Sequence, residues 1–269
     1  MKKGSKEGVV SGLIGAKELT ISWVSLLEAI RRKDIYVMLI LSGIIIVVTG
    51  FFNAFGVSEL RKFMIDVSLL IINAFTIIIT VMVSARQVPY EIEHRTLYPI
   101  LAKPVGRFQF LVGKFLGIIA MATAALVMFF VVAGAVFVGF GIPLKGVLLQ
   151  CIYFRWVSLF VIASMTLFFS LVFTQSANVT LSLLVCMGAA MFSRTVVLVH
   201  NSVGPWQQKV ITAAYWLAPH LDVFDLSKRV VHSWPPVSAA AIAGVTLYGL
   251  IYTVAFLGLA YLSFRRRPL

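Results

Sequence analysis

Charge is what this sequence has least of. Only 12% of its 269 residues are Asp, Glu, Lys or Arg, about half of the roughly 25% usual in soluble domains. With 60% hydrophobic residues and a mean hydropathy of +0.99, a soluble globular enzyme and a disordered chain are both excluded. Cysteine is nearly absent: Cys151 and Cys186 are isolated and give no disulfide or metal pattern. The histidines, His94, His200, His220 and His232, are scattered and form no H-E-x-x-H, and no G-x-S-x-G occurs. A P-loop is also missing. Gly106…Gly113-Lys114 has six intervening residues where that loop has four, and Phe115 stands where a hydroxyl would hold Mg²⁺. No ATPase or hydrolase site is therefore expected, and no cofactor in this chain. Acidic residues are the scarcer sign, 10 against 23 Lys and Arg, for a net charge of +13.

The gaps between charges are the main signal present. Charge-free runs span 35–58, 67–85, 115–144, 156–193 and 230–264. A membrane-spanning helix needs roughly 20 residues, so five runs mean at least five spans. The run 156–193 would make a helix of about 57 Å at 1.5 Å per residue, too long for one crossing. It contains the polar cluster Thr174-Gln175-Ser176 and Asn178 and is split there. Six spans are expected, at about 35–55, 66–85, 115–139, 154–173, 178–199 and 237–263. The last begins after Trp234-Pro235-Pro236, a helix stop. The expected fold class is thus all-α and polytopic, with a six-helix transmembrane domain over 35–269.

Six spans put both ends of the chain on one side. With that side cytoplasmic, fifteen Lys and Arg lie inside and seven outside, with Arg194 within span 5. This is the positive-inside pattern, N-in and C-in. It assigns the basic excess to topology and to anionic lipid rather than to nucleic acid. Trp156, Trp206, Trp216 and Trp234 fall on the expected outer side as an interfacial belt. The stretch Val9–Ala16 is too short and too broken for a cleaved signal.

Three segments lie outside the spans. In residues 17–34, Leu19, Trp23, Leu26, Leu27 and Ile30 share one helical face. This predicts an amphipathic helix in the inner interface, the alternative being a cytoplasmic extension of span 1. The cytoplasmic loop 86–114 carries five basic residues, two acidic ones and Pro89, Pro99 and Pro104. Tyr90–Tyr98 is expected to form two helical turns bounded by prolines. Such a rigid charged element suits contact with a soluble partner, or it serves topology alone. The outer segment 200–236 is expected to hold two short interfacial or re-entrant helices. One carries Trp206, Val210, Ala213, Ala214 and Leu217; the other has Asp222 near its start.

Polar residues inside the spans are candidates for a substrate path. On span 2, Asp66, Asn73, Thr76, Thr80 and Ser84 form one helical stripe; on span 5, Asn178, Ser182, Cys186 and Ser193 form a looser one. They line a route, or they are ordinary packing contacts between helices. Asp66 and Arg194 are expected to snorkel to the outer interface. A secondary transporter or channel would need an embedded coupling residue or an inverted repeat. The halves show no similarity, and no acidic residue lies near a span centre. A non-transporting membrane scaffold is the third class.

The loop after span 2 carries a further pattern. Glu91-Ile92-Glu93-His94-Arg95-Thr96-Leu97, then Leu101-Ala102-Lys103-Pro104-Val105-Gly106-Arg107, then Gly113-Lys114, resembles the membrane subunits of ABC-2 type ABC transporters. Glu28-Ala29-Ile30-Arg31 looks like that family's elbow helix, and Pro219-His220-Leu221 with Phe224-Asp225-Leu226 like a segment before its last span. The resemblance implies a permease subunit of an ATP-driven exporter in a bacterial inner membrane. It implies a dimer with an identical or related permease, and docking on a separate cytoplasmic ATPase that holds ATP and Mg²⁺. It places the docking contact on Glu91, Glu93, Arg95, Thr96, Leu97, Leu101, Lys103, Pro104 and Arg107.

Overall fold

The computed structural model describes residues 34–53, 60–93, 106–142, 146–199 and 219–266, together with 204, 206 and 208. Among these residues there is no strand. The helices are α1 (Asp34–Asn53), α2 (Leu60–Glu93), α3 (Arg107–Gly139), α4 (Gly146–Val172), α5 (Gln175–Val199), a short α6 (Ser227–Val231) and α7 (Ala239–Arg266), with a 3₁₀ turn at Leu221–Phe224 before α6. The expected elbow helix and Arg95, Thr96, Leu97, Leu101, Lys103 and Pro104 lie outside the described residues, as does most of the first expected outer helix.

An apolar chain in lipid must satisfy its backbone polar groups within itself, and the helix does so locally. The ends are set by specific residues. α3 stops in a Schellman motif: Gly141 has φ +67, its N–H donates to Val138 O at 3.0 Å, and that of Ile142 to Phe137 O at 2.9 Å. Ile142 and Phe137 are buried in one cluster, the apolar contact that accompanies this motif. The polar cluster at 174–178 breaks the long run as expected. Thr174 O receives the Asn178 N–H at 2.9 Å, which opens α5. Ser238 Oγ accepts from Ala241 N–H at 3.5 Å and caps α7 after the two prolines.

α4 is the hub. It packs against α2, α3, α5 and α7, while α1 lies on α2 and α3. α4 is mostly buried, whereas α7 is mostly exposed. The outward face of α7 carries Leu247, Leu250, Ile251, Val254, Leu259 and Leu262 in the open. α1 does the same with Ile40, Ile44, Val47 and Phe51. An apolar exterior around an apolar core is what lipid, not water, permits. Four helices, within α2, α3, α4 and α7, are long and apolar enough to cross a membrane among the described residues. α1 and α5 occupy the stretches read as spans 1 and 5.

Two boundaries differ from the sequence reading by the same amount. α3 begins at Arg107 rather than 115, and α4 at Gly146 rather than 154. Both helices run through a charge, Lys114 and Arg155, and in both cases that charge is buried and paired with a carboxylate from a distant segment. Counting charge-free residues stops at such a position, whereas a paired charge does not stop a helix. At the other root of the loop, α2 runs through Pro89 to Glu93. Pro89 therefore does not start a separate helix; the described helices extend to Glu93 and from Arg107, within the 86–114 stretch read as a loop. Proline removes one backbone donor, and packed membrane helices tolerate this. Trp156, expected in the outer belt, has a partner on α3. It sits about 15 Å into α4 at 1.5 Å per residue, half-buried, and its indole N–H donates to Thr123 Oγ1 at 3.0 Å.

Candidate functional site

The helices bring two polar sites together, one at each end of the bundle. The first lies at the roots of the 94–105 segment. Glu91 is in the last turn of α2 and Lys114 two turns into α3; their side chains form an ion pair with relative exposures of 9% and 4%. More than nine-tenths of each side chain is removed from solvent, so salt screens the pair far less than a surface one. Glu91 and Lys114 thus face each other across the ends of α2 and α3. Glu93 closes α2.

Arg107, the first residue of α3, reaches the end of α7. Its Nη1 donates to Phe264 O at 3.3 Å and to Arg265 O at 2.9 Å. A guanidinium on the last carbonyls of a helix meets unsatisfied acceptors and the negative end of the macrodipole. Below it Phe110 stacks on Phe264 with centroids 5.9 Å apart, and Phe108 meets Tyr261 edge-on at 5.7 Å. Gln109 Oε1 accepts from the Gly106 N–H at 3.1 Å and fixes the first turn of α3. The ends of α2 and α7 and the start of α3 therefore meet at one end of the bundle.

The second polar site fastens 219–238 to the opposite end. Arg155 Nη2 donates to Asp225 Oδ1 at 3.4 Å. The same oxygen accepts from Ser227 N–H at 3.0 Å. Gln150 clamps Val237 in both directions, Nε2 to Val237 O at 3.1 Å and Val237 N to Oε1 at 2.8 Å. The His220 N–H donates to the Tyr248 hydroxyl at 2.9 Å. Sequence reading did not assign Lys114, Arg155, Gln150 or Asp225 to a site. The signal available was one: a basic residue inside a long apolar helix demands an acid, and Asp225 is in the next polar segment.

The candidate path residues are placed as follows. Thr76 and Thr80 are fully buried on α2, and their hydroxyls donate to Ile72 O and Thr76 O, each at 2.7 Å. On α5, Asn178 is fully buried; its Nδ2 donates to Thr166 O of α4 at 3.2 Å, and its Oδ1 accepts from Ser182 Oγ at 3.0 Å. Asn73 Oδ1 is buried and meets no donor among the described residues. α2 and α5 do pack together, and Ile77 and Val81 of α2 share one apolar cluster with Val179, Leu183 and Cys186 of α5. The Thr76 and Thr80 hydroxyls are thus turned onto their own helix, and Asn178 ties α5 to α4. Asp66 is exposed near the start of α2.

Long apolar helices with apolar outer faces, pinned at each end by buried polar contacts, define a multi-pass α-helical membrane protein. The profile of the ABC-2 family transporter protein matches residues 19–269. The chain belongs to that family, whose members are the membrane subunits of ABC transporters and pair with an ABC ATPase subunit. No curated protein matches the chain.

Proposed function

We propose that this chain is the permease subunit of an ATP-driven exporter, crossing a bacterial inner membrane six times with both ends in the cytoplasm. Two such subunits, identical or related, form the membrane body. Each docks on a cytoplasmic ATPase that carries ATP and Mg²⁺. The observation that carries this reading is the family match, which runs through the loop pattern at 91–114 and the whole helical body.

The sequence pattern of the loop supports a division of labour. Leu97, Ile100 and Leu101 supply the apolar anchor for the ATPase, and Arg95 and Lys103 the charged rim. Interfaces concentrate energy in such buried anchors, with rim charges contributing less. Arg107, bonded to the end of α7, carries the push of the ATPase into the bundle. Residues 219–238, clamped by Gln150 and Arg155, close the outer end. The substrate route runs beside Asn73, Thr76 and Thr80 and past Asn178 and Ser182. The test is affinity purification of the tagged chain from its native membranes. A P-loop ATPase in stoichiometric amount is expected, with hydrolysis by the complex and none by the chain alone. Recovery of the chain without any ATPase refutes the proposal.

A further inference from the structure

The ion pair Glu91–Lys114 is placed against ordinary helix energetics. Glu91 puts a negative charge in the last turn of α2, where the macrodipole favours a positive one. Lys114 puts a positive charge among buried residues of α3, with Phe110, Leu111, Phe115 and Ile118 around it in sequence. Both ions have left solvent, which costs several kcal/mol each before their attraction is counted. Apolar residues of the same volume would hold two helices together at least as well. Stability therefore does not account for the pair. What it does provide is a register between the two helices on either side of 94–105, because a buried ion pair is costly to pull apart. Arg107 then fixes the start of α3 to the end of α7 through two carbonyls.

We infer that Glu91 and Lys114 are positioning residues: they lock the two roots of the docking loop into one body, so that displacement of the loop moves α2 and α3 together. This rests on the docking role proposed above. It differs from the assignment of Glu91 to the docking surface, since the carboxylate faces Lys114 within the chain. Uncoupled roots would let the loop follow the ATPase while the helices stay behind. Docking would survive and the link between hydrolysis and helix movement would weaken.

The test uses the complex of the full chain with its co-purified ATPase in lipid nanodiscs. Three quantities are read: ATPase bound per chain, hydrolysis per bound ATPase relative to free ATPase, and the Tm of the chain. Glu91→Gln and Lys114→Met are each expected to keep the bound ATPase. They should lower its stimulation by about two- to thirtyfold, the span of coupling energies carried by such networks. The exchange Glu91→Lys with Lys114→Glu should restore stimulation, as the macrodipole does not oppose it. A lowered Tm with full stimulation overturns the inference and leaves a structural pair. Loss of bound ATPase in both single variants, unrelieved by the exchange, also overturns it and returns Glu91 to the docking surface. If the single variants do not assemble, the exchange decides: stimulation supports the inference, and its lack overturns it. A wild-type chain that binds no ATPase removes the proposed function itself, and this role with it.

Discussion

At Gly249 α7 packs tightly on the hub, and adding one methyl there should strain the bundle. A Cβ at this position would lie 2.7 Å from Val157 Cγ1 and 3.3 Å from Phe224 Cζ. Carbon atoms pack at about 3.5–4.0 Å, so Val157 or α7 must give by about 1 Å. Neither neighbour is a flexible tip. Val157 is β-branched and stiff at χ1, and Phe224 is fully buried in the 3₁₀ turn. Overpacking of this kind costs about 1–3 kcal/mol, and the better helix propensity of Ala returns at most about 1 kcal/mol. Gly249→Ala should therefore fall about 1–3 kcal/mol below an alanine control on the same helix, which gains the same propensity without the overpacking. Gly244→Ala and Gly258→Ala on the same helix meet nothing within 4 Å and should be neutral or slightly stabilising. At about 2–4 °C per kcal/mol, thermal unfolding of purified protein in one fixed detergent separates these outcomes. Val157→Ala should relieve Gly249→Ala, giving a coupling of at least about 0.5 kcal/mol. A Gly249→Ala protein as stable as the Gly244→Ala control refutes the close approach, and so does a pair of changes that simply add.

Three further outcomes are expected. Asp225→Ala should destabilise more than Asp225→Ala combined with Arg155→Met, because the single change leaves a guanidinium that is 7% exposed without its carboxylate; equal losses in thermal unfolding would refute the pairing. Asn178→Leu removes bonds to Thr166 O and Ser182 and should cost about 0.6–1.7 kcal/mol, the range for hydrogen bonds between membrane helices; an unchanged Tm would contradict it. In a cysteine-free background, a cysteine at Ser176 should resist an impermeant thiol reagent applied outside the cell while one at Gln208 reacts, and labelling at Ser176 would remove the six-span topology.

Much of the helical layout was legible because lipid makes charge expensive, and the gaps between charges mark the spans. The break after Val172 could be read because Thr174, Gln175 and Ser176 are polar and Thr174 accepts the first bond of α5. Lys114 and Arg155 misled the same count. Each ended a charge-free run, yet each sits within a helix opposite a carboxylate far away in sequence, Glu91 and Asp225. A local window sees the cost of a buried ion but not the ion that offsets it. The stripe Thr76 and Thr80 was legible as a stripe, but not in its direction: both hydroxyls bond one turn back, a choice made by χ1 rather than by spacing. Gly249 carried no signal at all. It is one of 19 glycines, and only the approach of Val157 distinguishes it.

Residues 94–105 are proposed to carry the contact through which a separate ATPase drives this chain. The most direct test is ATP hydrolysis by the purified complex with Leu97→Ala and Leu101→Ala together, beside Lys103→Glu alone. Truncating buried anchors should cost about 2 kcal/mol or more, enough to strip the ATPase in detergent and abolish stimulation. Reversing one rim charge should mainly alter on-rate and salt sensitivity, leaving a complex that weakens only as salt is raised. Full ATPase binding and full stimulation in the double alanine protein would contradict the account.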